Sequence, residues 1–95
     1  MHGPIEVAPD HPSFAGHFPA FPVLPGAVLV DEALHAIQLA RGIELREWHV
    51  ASVKFLGPVL PGDLLHLEHA LIGPVIRFTI RAAGRTVLSG SLAKA

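Results

Sequence analysis

Apolar and polar positions along this chain divide it into a loop-rich start, one long apolar run and a series of short strand-like segments. The run opens at Pro25 and Gly26, where proline suits a first helical turn, and reaches Arg41 before Gly42 supplies a stop, so a helix is predicted there. Ahead of it, Pro9, Pro12, Pro19, Pro22 and Pro25 keep the segment from Asp10 to Leu24 out of regular structure, with a short edge strand expected at Ile5 to Ala8. Strands are predicted over Trp48 to Leu56, Leu64 to Ile72, Val75 to Ala82 and Thr86 to Ala93, with turns at Gly57 to Asp63 and Ala83 to Arg85. Val75 to Ala82 alternates cleanly, with Ile76, Phe78 and Ile80 on one face and Arg77, Thr79 and Arg81 on the other. One early helix followed by four consecutive strands predicts a single α+β domain over residues 1–95, an antiparallel sheet wrapped around one long, mostly apolar helix.

Composition sharpens this picture. With 95 residues, 51% of them apolar and 16% charged, the chain holds more apolar side chain than a small monomer can hide. A large subunit interface or a lipid-like ligand is therefore expected. No apolar run is long enough to span a membrane, no signal peptide is evident and cysteine is absent, which makes a cytoplasmic location the expectation. A net charge of -1 argues against nucleic-acid binding. The charges are unevenly spread: residues 1–40 carry Glu6, Asp10, Asp31 and Glu32 without Lys or Arg, and residues 71–95 carry Arg77, Arg81, Arg85 and Lys94 without an acid. An acidic partner for the second half and a plain solvated strand face both fit that distribution.

The helix raises a narrower question. Asp31, His35 and Gln38 fall within about 60° of one another on a helix otherwise lined by Val28, Leu29, Val30, Leu34, Ile37 and Leu39. Either the stripe is solvated and Asp31 pairs with His35 four residues on, or Asp31 is buried for a purpose, at a cost of several kcal/mol unless it finds a partner. Other histidines carry less. His66 and His69, three apart on a strand, point to opposite faces and are poor joint metal ligands. His2, His11 and His49 are expected at exposed or edge positions, and Trp48 in core or interface packing.

The segment "GHFPAFPVLPG", Gly16 to Gly26, with an acid five positions after its final glycine, resembles the active-site signature of the FabA/FabZ type of 3-hydroxyacyl-acyl carrier protein dehydratases. A second patch, "VKFLGPVLPGD", Val53 to Asp63, resembles that family's later strand and turn. The compact length is similar to that of the small dehydratase-like proteins of aryl polyene and related pigment pathways. The resemblance implies a hot-dog fold, a long helix held inside a curled sheet, and dehydration of 3-hydroxyacyl thioesters to 2-enoyl thioesters. It implies His17 as the base, Asp31 as the acid and Gly26 as the backbone N–H that contacts the thioester oxygen. Asp31 is the aspartate of the A-type, Ala20 stands where glycine is usual, and His35 stands where glutamine often follows.

Further expectations follow from the same resemblance. Two protomers pack side by side into one sheet, and each site takes its histidine from one chain and its acid from the other. The substrate arrives on acyl carrier protein, an acidic partner, for which Arg77, Arg81 and Arg85, with Lys54 behind them, are the expected docking residues. Phe18, Phe21, Val23 and Leu24 line an acyl tunnel or serve as core. No metal or redox cofactor is required by the chemistry. Two other activities stay open: a hot-dog acyl thioesterase, and a non-catalytic subunit that binds a carrier protein or a sister chain.

Overall fold

The computed structural model describes residues 2–5, by their backbone alone, together with 26–60 and 62–95. Strand β1 is His2–Ile5, helix α1 is Gly26–Arg41, and β2 to β5 are Trp48–Phe55, Leu65–Ile72, Val75–Ala82 and Arg85–Lys94. They form one antiparallel sheet in the order β1-β3-β4-β5-β2. The helix and the four later strands stand where the sequence places them, to within a residue or so at each end. Of the expected edge strand Ile5 to Ala8, residues 6–8 lie outside the described residues, and the described first strand is His2–Ile5. It pairs Ile5 with Leu65 and tolerates Pro4 because an edge strand leaves one row of N–H groups unpaired. A short 3-10 turn at Leu45–Glu47, unpredicted, leads into β2.

The helix ends at Gly42 for a backbone reason. Its φ of 63° is left-handed, and its N–H donates to the Gln38 carbonyl at 2.8 Å, closing the last turn. Leu29, Ala33 and Ile37, spaced four apart, form the buried face of α1. Against them lies the inner face of the sheet, including Ile76, Phe78 and Ile80 of β4, Leu65 and Leu67 of β3, and Leu88 and Leu92 of β5. Arg77 and Arg81 are exposed on the outer face and Thr79 is half-buried there, so the alternation read from β4 is the alternation the sheet adopts. In β5 the neighbours Val87 and Leu88 are both buried, because the register slips between Ile80 and Arg81 and the extra residue turns inward.

The hairpin between β4 and β5 turns through Ala83, at φ 51°, and Gly84, at φ 79°. Such a turn suits its right-handed strands, yet alanine pays for the left-handed position with its Cβ. Ala83→Asn is expected to raise unfolding stability by about 0.5–1 kcal/mol in urea titration. A neutral or negative change would mean that Ala83 makes a contact that outweighs its backbone strain.

Candidate active site

Gly26 forms the first turn of α1 and is held against Phe55, the last residue of β2. A Cβ built on Gly26 would stand 2.5 Å from Phe55 Cε1, so a larger residue here would have to push the Phe55 ring aside. Gly26, Ala27, Leu29, Phe55, Pro58 and Val59 surround an apolar cleft of about 370 Å³. Its floor is the positive end of a 16-residue helix, where backbone N–H groups lack intrahelical acceptors and favour negative charge.

Asp31 lies about one and a half turns further on. Of the two alternatives, burial does not hold in the single chain: Asp31 is exposed, because it is about 200° around the helix from Leu29 and so points away from the sheet. With Glu32, Leu34, His35 and Leu45 it borders an open hollow of about 310 Å³. Among the described residues no ion pair joins Asp31 to His35, so the helix-surface pair of the simpler reading does not form either. Leu39, expected among the apolar lining, is 71% exposed. Gly26 and Asp31 thus share a helix but border separate hollows of one chain. His17, Phe18, Phe21, Val23 and Leu24 lie outside the described residues.

The expected docking residues divide. Arg85 reaches the turn after β2, with its guanidinium 3.7 Å from Asp63 and 3.3 Å from the Pro58 carbonyl. Arg81 stands 4.0 Å from Glu68, and Lys94 reaches Glu47 at 3.2 Å while covering the Trp48 ring. The acids that answer the basic second half therefore come from residues 41–70. Lys54 and Arg77 have no carboxylate partner among the described residues, and both line one groove across β2, β4 and β5 with Ser52, Thr79, Ser89 and Ser91.

One buried polar contact was not expected from sequence. His69 is turned to the inner face, and its Nδ1 accepts from Arg41 Nε at 2.8 Å, tying the end of α1 to β3. His66, by register, belongs to the outer face beside Arg81. Burial, and then the Arg41 charge, hold the His69 imidazole below its ordinary value. The unfolded chain therefore takes up this proton more readily than the folded one. Stability from the neutral pair is complete above about pH 6.5 and is lost as pH falls through the lower folded value, at no more than about 1.4 kcal/mol per pH unit. Replacing the imidazole in His69→Gln is expected to flatten the fall in urea-unfolding stability between about pH 7 and pH 5. An unchanged slope would assign that acid sensitivity to other groups.

A profile of ApeI-like proteins, described as the ApeI dehydratase, matches residues 1–91. The chain belongs to the ApeI-like dehydratase family. Within the heterocomplex ApeI:P from Xenorhabdus doucetiae, a solved dehydratase chain superposes on this ApeI-like chain with a TM-score of 0.77 at 26% identity, over 97% of this chain and 83% of that one. The dehydratase domain of PpsC from Mycobacterium tuberculosis superposes with a TM-score of 0.78 at 21% identity, over 100% of this chain and 38% of that one, a likeness of fold. In sequence the chain is 40% identical to the 3-hydroxyacyl-[acyl-carrier-protein] dehydratase FabZ of Thermomicrobium roseum, over 93% of this chain and 63% of that protein. It spans about half to two thirds of the length of the curated relatives it matches. The ApeI-like chain has the hot-dog fold: its α1 lies against the inner face of an antiparallel sheet. Among the described residues no helix is long and apolar enough to cross a membrane.

Proposed function

We propose that this protein dehydrates 3-hydroxyacyl thioesters, carried on an acyl carrier protein, to trans-2-enoyl thioesters in fatty acid or polyene synthesis. The observation that carries the reading is the start of α1: Gly26 opens the helix against the sheet edge, Asp31 follows within two turns, and the His17 motif precedes both in an ApeI-like sequence. His17 takes the C2 proton, its ordinary pKa being near neutrality. Charge moves onto the thioester oxygen, where the Gly26 N–H and the helix N-terminus hold it. The C3–O bond then breaks, Asp31 protonates the departing hydroxide, and the C2=C3 bond forms. A 3-hydroxyacyl pantetheine thioester should give a product with the absorbance of a conjugated enoyl thioester. Free thiol without that absorbance would favour the hydrolase.

Asp31 gains its enclosure, in this reading, from a second protomer. Strand β2 is an edge among the described residues, and its Val50 and Phe55 and the following Leu56 are 43%, 56% and 48% exposed. An open edge flanked by apolar side chains suits pairing with the same strand of another copy. Its outer-face groove supports carrier docking by Lys54 and Arg77, with Arg81 and Arg85 tied to Glu68 and Asp63. Reversing both charges, Lys54→Glu with Arg77→Glu, is expected to raise KM for carrier-bound substrate about tenfold at low salt, and less as salt increases. KM for the pantetheine thioester should stay put. Equal losses with both substrates would move the carrier elsewhere.

A further inference from the structure

Pro58 and Val59 border the same cleft as Gly26, and they belong to the connection between β2 and β3. Its course is fixed at both ends. Where it leaves β2, the Leu56 N–H donates to the Val87 carbonyl at 2.8 Å, and Val59 is buried in the core. Before β3, the Asp63 carboxylate accepts from the Leu60 N–H at 2.9 Å and the Asp63 N–H donates to the Leu60 carbonyl at 3.1 Å. Gly62, at φ 86°, permits that turn. Arg85, the first residue of β5, joins the turn to the cleft wall. Its Nη2 donates to the Pro58 carbonyl at 3.3 Å and stands 3.7 Å from the Asp63 carboxylate, while its Nη1 donates to the Ala82 carbonyl at 3.5 Å. One guanidinium thus bridges the wall, the turn and the end of β4.

We propose that Arg85 is a positioning residue for dehydration, whose forked guanidinium holds Pro58 and Val59 in place as the wall against which the thioester end of the substrate binds. The inference rests on the dehydration reading, in which Gly26 holds the thioester oxygen in this cleft. Arginine suits the task because its N–H donors lie in a fixed plane and can meet a neutral carbonyl and a carboxylate together, whereas a lysine ammonium is a compact charge on a flexible stem. Proline has no N–H, so the carbonyl is the one backbone group by which Pro58 can be tied. Without Arg85 the wall keeps Val59 in the core and the turn closed by Asp63, and loses the bond between them. Contacts to bound substrate then weaken, while the groups that move protons are unaltered. This separates Arg85 from Lys54 and Arg77, which have no carboxylate partner among the described residues.

The test compares wild type, Arg85→Ala and Arg85→Lys with a 3-hydroxyacyl pantetheine thioester and with the same acyl group on acyl carrier protein. Arg85→Ala is expected to raise KM about three- to fivefold for both substrates alike with kcat little changed, the size of effect that one partly exposed charged contact supplies. Arg85→Lys restores the charge without the fork and should recover only part of the loss. If the alanine variant fails to fold, Arg85→Gln, which keeps part of the stem and carries no charge, takes its place. Damage to folding alone would lower kcat per mole of protein and leave KM where it was, so that pattern overturns the inference. A rise in KM confined to carrier-bound substrate also overturns it, by making Arg85 a docking residue, and so does full recovery in Arg85→Lys. A wild type that dehydrates neither substrate overturns the dehydration reading, and this inference with it; an active wild type whose Arg85→Ala variant has unchanged kinetics overturns this inference alone.

Discussion

His17→Ala is expected to fold and assemble as wild type does while losing 10² to 10⁴ in dehydration rate, on the order of what a positioned general base contributes. The loss should appear in kcat, since the histidine acts in proton removal and the thioester is held elsewhere, at Gly26 and the helix start. Activity within a few-fold of wild type would remove His17 from the mechanism. The prediction rests on the motif from Gly16 to Gly26, and the outcome is most informative with carrier-free substrate, where docking plays no part.

Asp31→Asn is expected to be nearly as inactive, for the amide has no proton to give a departing hydroxide. Its larger use is in combination. If each site takes His17 from one protomer and Asp31 from the other, mixed dimers of His17→Ala with Asp31→Asn hold one doubly altered site and one intact site. Random assembly makes about half the dimers mixed, so coexpression should restore roughly a quarter of wild-type activity. Purified mixed dimers as inactive as either parent would show that the two residues do not meet across an interface. The exposure of Asp31 in the single chain is what gives this experiment its weight, since among the described residues the carboxylate borders only an open hollow.

Much of the fold was legible because its signals are local. Gly42 terminates the helix through its own φ, and Ile76, Phe78 and Ile80 alternate with Arg77, Thr79 and Arg81 whatever lies around them. The contact between Arg41 and His69 was not legible, for the two are 28 residues apart and meet only because α1 crosses β3. Nor was the closeness of Phe55 to Gly26, although the patch from Val53 to Asp63 had marked the strand that brings it there. At the candidate site, residue identities came from the motif and its spacing. Burial did not: Asp31 could be assigned to the helix from sequence, but which side of the helix meets the sheet decides its exposure, and Leu29, Ala33 and Ile37 claim that side. Charge pairing was equally hidden, since Glu68 and Asp63 come within 4.0 Å of Arg81 and Arg85 only through strand register and the turn after β2.

The most direct test of the account is intact-mass analysis of a 3-hydroxyacyl-acyl carrier protein incubated with the pure wild-type protein. Dehydration predicts a carrier lighter by one water, with the acyl group still attached through its thioester. A carrier that has lost the whole acyl group, or one whose mass has not changed, would contradict it.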